Sequence, residues 1–158
     1  MNQRTVLSTF CIITTIAAII GLITIIIFAN DNHMALWIVS VTLAALLLPG
    51  LFYMPLNIGA DKYAIYVKRC LRTKAIPMEL VKSVRLCPPT MGAKRISGSG
   101  GFMGYWGWFR ERDLGTYFAY YGRSSDCFLV ELINGRKYML GCQNAPQMVE
   151  YIKSHIKL

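Results

Sequence analysis

Charge is what this sequence most lacks. Only 16% of its 158 residues are Asp, Glu, Lys or Arg, against about a quarter in an ordinary soluble domain. The shortage is local: residues 5–30 carry no charged side chain, and neither do residues 35–60. That excludes a fully soluble protein as the leading reading. The length leaves room for one domain beside the apolar part, which excludes a large multidomain enzyme. Acids are scarcer than bases, 8 against 17, and histidine occurs only as His33 and His155. The acids beyond residue 53 offer no close carboxylate pair for acid–base work. Glu111 and Asp113 alternate with Arg110 and Arg112, as in a solvated charged turn. The five cysteines, Cys11, Cys70, Cys87, Cys127 and Cys142, lack any Cys-x-x-Cys spacing and make no zinc set. Phosphate cradles fail as well. Gly98-Ser99-Gly100-Gly101 runs into Phe102 rather than Lys-Ser/Thr, Met103 stands where a dinucleotide loop needs its third glycine, and an esterase elbow would need Gly at Ser97. No catalytic residue, metal site or cofactor is expected.

What is present is a pair of long apolar runs. Residues 6–29 would form a helix of ~36 Å, longer than the ~30 Å hydrocarbon core. Residues 35–53 give a second run, with Trp37 and Tyr53 near its ends, where aromatic side chains favour the interface. Asn30-Asp31-Asn32-His33-Met34 is a short polar turn between them. The segment 1–53 therefore reads as a transmembrane helical hairpin, with Pro49-Gly50 as a kink or early end. A cleaved signal peptide fits less well, because its apolar core would be ~7–15 residues. Ala17 and Gly21 lie one turn apart and offer a close-approach face, with ordinary helix filling as the equal alternative. Arg4 precedes the first run, and Lys62, Lys68, Arg69, Arg72 and Lys74 follow the second, whereas the turn carries no Lys or Arg. Positive flanks stay in the cytoplasm, so both termini are expected there.

The remainder, 54–158, holds 16 of the 17 bases and 7 of the 8 acids. Its pattern is strand-like at 63–67, 73–77, 80–86, 116–121 and 127–133. Asn134-Gly135 is a strong hairpin signal, with 136–140 as the returning strand. Ala145-Pro146 then opens a helix capped by Asn144, with Met148, Val149, Ile152 and Ile156 on one face. Antiparallel strands, a long Gly/aromatic loop, a hairpin and one closing helix make the layout of a pleckstrin-homology-like (PH-like) antiparallel β-barrel or sandwich. The fold class expected is thus membrane-anchored α+β.

The stretch Arg95-Ile96-Ser97-Gly98-Ser99-Gly100-Gly101-Phe102-Met103-Gly104-Tyr105-Trp106-Gly107-Trp108-Phe109 resembles the signature of small bacterial PH-domain membrane proteins. Leu114-Gly115-Thr116-Tyr117, Asn134-Gly135-Arg136-Lys137-Tyr138 and the closing Asn144-Ala145-Pro146 helix continue the likeness. The resemblance implies two transmembrane helices ahead of a cytoplasmic PH-like domain, in the inner membrane of a bacterium. It implies little about activity, because it describes a fold.

Two sets of residues are candidate sites. The first is the Gly/aromatic loop: Gly98, Gly100, Gly101, Phe102, Tyr105, Trp106 and Trp108. Its aromatics either pack back on the sheet, enter the membrane interface, or anchor a protein partner or a second copy. The second is Lys94, Arg95, Arg110 and Arg112, which flank the loop and are candidate contacts to anionic lipid headgroups. The bases at 62–74 are read as positive-inside retention, without a ligand. The phosphoinositide arrangement of eukaryotic PH domains is not evident. The function expected is a non-catalytic interaction module at the cytoplasmic face, binding a protein partner, itself or anionic lipid. The alternatives are an accessory subunit of a membrane enzyme or transporter and, more remotely, a nucleic-acid-binding membrane protein. No nucleic-acid motif is present, and a transporter would usually place charge within its helices.

Overall fold

The computed structural model describes residues 1–28, 33–90 and 92–156. A short strand, β1 (Asn2–Arg4), comes first, followed by helices α1 (Thr9–Phe28) and α2 (His33–Tyr53). Both helices are apolar around their whole circumference, with no acid in the first turn and no base in the last. Ile13, Ile20, Trp37 and Ile38 are all exposed. At ~1.5 Å per residue each helix is ~30 Å long, the thickness of a hydrocarbon core. By length and composition both can cross a membrane. Pro49 lies inside α2 without ending it. Of the polar turn read from the sequence, Asn30, Asp31 and Asn32 lie outside the described residues, while His33 and Met34 begin α2.

The chain leaves α2 directly into β2 (Pro55–Ala60), β3 (Ala64–Arg69) and β4 (Thr73–Pro77). Asp61 makes the first reversal. Its Oδ1 accepts the backbone N–H groups of Tyr63 and Ala64, each at 2.8 Å. Those two bonds hold the Asp61 carboxyl below its ordinary pKa. Strand β1 pairs antiparallel with β2, completing a four-stranded sheet in the order β1-β2-β3-β4. Residues 2–4, grouped on sequence with the helical hairpin, are therefore part of this sheet. Further bonds tie them in: Thr5 N donates to Leu56 O (2.9 Å), and Gln143 N donates to Arg4 O (3.0 Å).

The other strands are β5 (Val81–Leu86), β6 (Lys94–Gly101), β7 (Gly104–Glu111), β8 (Gly115–Tyr121), β9 (Cys127–Leu132) and β10 (Lys137–Gly141). They form a six-stranded sheet in the order β5-β9-β10-β8-β7-β6. Two expectations are corrected here. The sheets do not close into a barrel, because the backbone ladders form two separate sets. Nor is the second sheet purely antiparallel, since β8 runs parallel to β10 with Tyr138 opposite Phe118. Strand β9 lies outside β10, so β8 and β10 become neighbours pointing the same way. The Gly/aromatic stretch forms the long β6–β7 hairpin, paired from Lys94–Arg110 to Gly101–Gly104.

Alternation along each strand gives the second sheet two packed faces. One face meets the first sheet and helix α3 (Ala145–His155), burying Ile58, Ile65 and Val67 against Phe128, Val130, Leu140, Met148 and Ile152. The other buries Tyr117, Ala119, Tyr121, Leu129 and Met139. Asn144 caps α3 by accepting the Gln147 N–H, as its position predicts.

Candidate functional site

The sequence-read loop residues sit where the hairpin meets the helices. Strands β6 and β7 approach most closely at Gly98 and Gly107, which face each other with φ of +102° and +119°. A Cβ on Gly98 would stand 2.7 Å from the Gly107 Cα, so neither position admits a side chain without displacing backbone. The tip is Phe102-Met103. Met103 has φ +54°, a left-handed conformation, and its N–H donates to Thr15 Oγ1 of α1 at 2.9 Å. Ser99 Oγ closes the turn on Phe102 O at 2.7 Å. On the opposite side the Met103 sulfur and the Phe102 ring lie over Gly50 of α2, where a Cβ would meet the sulfur at 2.5 Å. The tip is thus keyed against both helices. Gly101 packs on Phe10 of α1, Tyr105 stacks on Tyr121, and Gly100 lies beside the Arg95 side chain. The aromatics mostly fold back: Trp106 is buried and stacks on Tyr53 with ring centroids 5.5 Å apart. Trp108 stays 41% exposed, packed edge-on to Phe118.

The candidate cations are not gathered. Lys94 and Arg110 face each other across the ladder as like charges. Arg112 lies in the turn after β7. Arg110 is six residues along β7 from the tip glycine Gly104, ~20 Å at strand rise. Arg95 alone reaches back toward α2, near Ala45, Pro49 and Phe102.

A different set converges. The β3–β4 turn returns toward the end of α2, and together they border a cleft of about 440 Å³. Its basic residues are Arg69, Arg72 and Lys74 from the first sheet, and Arg136 from the connection before β10. Tyr53, Trp108, Phe118, Tyr120 and Tyr138 supply aromatic walls. Arg69 lies 5.6 Å from the Tyr53 ring centre and 5.7 Å from that of Tyr120, and donates to Tyr120 Oη at 3.4 Å. Its Nε is buried with no hydrogen-bond partner. Lys74 Nζ donates to Tyr138 Oη at 3.0 Å and lies 4.4 Å from that ring's centre. Among the described residues the ion pairs are Arg123–Asp126 and Lys137–Glu131, so no carboxylate neutralises the cleft. Burial pushes Tyr120 up to about 12, against the opposing pull of Arg69, so its hydroxyl stays protonated.

The cleft lining contains no carboxylate, thiol or imidazole, the usual general bases near neutral pH. Its chemistry is anion binding by guanidinium forks, an ammonium and phenol hydroxyls. Several other reactive residues are engaged elsewhere. Buried Glu111 accepts from Tyr117 Oη (2.6 Å) and Thr90 Oγ1 (2.8 Å), fastening the β5–β6 connection. Burial raises the thiols of Cys127 and Cys142, the latter to about 11. His155 stacks on Tyr151 within α3.

Sequence reasoning set Arg69, Arg72 and Lys74 aside as retention charge and read Arg136 only as the first residue of the returning strand. The signal that could have joined them was the aromatic pair at alternate positions, Phe118 and Tyr120, with Tyr138 in the returning strand.

Two packed sheets and a closing helix, in a chain that also carries two apolar helices, have the layout of a PH-like domain. Comparison agrees: the family model for the bacterial PH domain matches residues 56–156, and the chain belongs to that family. Such domains are generally non-catalytic binding modules. No curated protein and no solved structure shows significant similarity to the chain.

Proposed function

We propose that the chain is a membrane-anchored, non-catalytic binding module whose cleft holds an anionic lipid headgroup at the cytoplasmic face. One observation carries this reading: four cations with no acid border a cleft whose wall includes Tyr53, the last residue of α2. A headgroup leaving the bilayer beside α2 meets Arg69, Arg72 and Lys74 without crossing open solvent. Leu71, at the crest of the β3–β4 turn, is 55% exposed, lies between Arg69 and Arg72 in the chain, and suits an interface. The pairing of β1 with β2 supports placing the N-terminal segment and the domain on one side of the membrane. In this reading residues 1–53 supply the anchor and the first strand, and 54–158 the rest of the module. Lys94, Arg110 and Arg112 then lie at the end of the hairpin remote from its tip, and Arg95 remains a second contact. The Gly98–Trp106 stretch is a packing element, and Trp108, just beyond it, borders the cleft.

The test uses the full chain purified from mixed phosphatidylcholine and phosphatidylglycerol bilayers, with native mass spectrometry counting retained lipids. The wild type should retain phosphatidylglycerol preferentially. Near a membrane each cation contributes ~1 kcal/mol, so Arg72→Ala with Lys74→Ala should weaken retention by roughly 30-fold. Equal retention by both proteins would overturn the assignment and direct attention to protein partners or self-association.

A further inference from the structure

We propose that the cleft selects a terminal phosphate bearing two negative charges, a phosphomonoester, over a singly charged phosphodiester. The inference rests on reading the cleft as an anion site. A phosphodiester offers one charge and two free oxygens, which a single arginine fork can satisfy. This cleft offers far more. Arg72 and Arg136 have no ion-pair partner among the described residues, and the Arg69 Nε is buried and unbonded. The cations also come from both sheets and their connections: Arg69 and Lys74 from strands of the first, Arg72 from the turn between them, and Arg136 from the connection leading into β10 of the second. A row on one surface would serve a flat field of diesters, whereas charges converging from two sheets surround a small, densely charged group. Trp108 and Phe118 displace water from its flank, which strengthens each charge contact.

The same chemistry sets a pH signature. The titratable groups facing a ligand here are the four cations and the tyrosines Tyr53, Tyr120 and Tyr138. Arginine, lysine and tyrosine titrate well above neutrality by type. A phosphomonoester gains its second charge near pH ~6. Any change in affinity between about pH 5.5 and about pH 8 would therefore originate in the ligand.

Full-length protein in phosphatidylcholine nanodiscs would be titrated calorimetrically with dihexanoyl phosphatidic acid, dihexanoyl phosphatidylglycerol and inorganic phosphate. Phosphatidic acid should bind about tenfold more tightly at the upper end of that pH range than at the lower, and there more tightly than phosphatidylglycerol, whose binding should not vary with pH. Inorganic phosphate binding at comparable affinity, with a rise that follows its own second ionisation, would identify free phosphate as the source. Much tighter binding of phosphatidic acid would identify the lipid. Equal affinity and equal pH profiles for the two lipids, both lost in Arg72→Ala/Arg136→Ala, would overturn the selectivity and leave the anion site standing. Binding unaffected by that double substitution would overturn both. Arg72 and Arg136 are exposed, so an unchanged melting temperature separates lost binding from lost folding.

Discussion

Asp61 shows how one side chain sets a reversal. Its two backbone acceptor contacts keep the carboxylate charged, and that contribution exists only while it is charged. With the folded pKa below the ordinary 3.8, the stabilisation is present above that value and is lost as pH falls through the folded pKa. Asp61→Ala should therefore lower the melting temperature at neutral pH, and the gap from wild type should close in strong acid. A gap that stays constant with pH would remove the carboxylate from the explanation. Gly98 makes the stricter demand. Gly98→Ala combines a positive φ with a cross-strand collision, and should cost ~2 kcal/mol or more by chemical denaturation. A neutral substitution would show that the two strands can separate at that point.

Elements differ in how far the sequence revealed them. Strands at 73–77 and 127–132, the Asn134-Gly135 reversal and the Asn144-capped helix were legible, because alternation, turn chemistry and capping are local. Strand β1 was not: three residues ahead of a long apolar run have no period, and their partner lies beyond both helices. Strand β2, Pro-Leu-Asn-Ile-Gly-Ala, lacks the β-branched density that marks strands and is held by its neighbours on both sides. The parallel β8–β10 pairing is a matter of topology, which local patterns do not carry. The cleft was hidden for the same reason, since Arg136 meets Arg69 only after two sheets pack. At this scale the hairpin tip offers its own test. Gly50→Leu would fill the notch taken by Met103 and Phe102, lifting the tip from α2. Limited proteolysis should then cut at 101–104 where wild type resists. Unchanged protection would mean the tip is held without that notch.

Across the whole molecule, the two helices interrupt a sheet rather than precede a domain. Strands β1 and β2 are immediate neighbours, yet all of α1 and α2 lies between them in the chain. An isolated 54–158 fragment would present β2 as an unpaired edge and should aggregate, as light scattering would show. Adding residues 1–8 through a flexible linker should suppress that. Equal aggregation would place the liability elsewhere. The arrangement also orders biosynthesis. The first strand leaves the ribosome with no partner and must wait until both helices have emerged before the residues that complete its ladder follow. The domain's first sheet is thus finished only once both helices have been made, so any pause in the synthesis of α1 and α2 is a pause in closing that sheet.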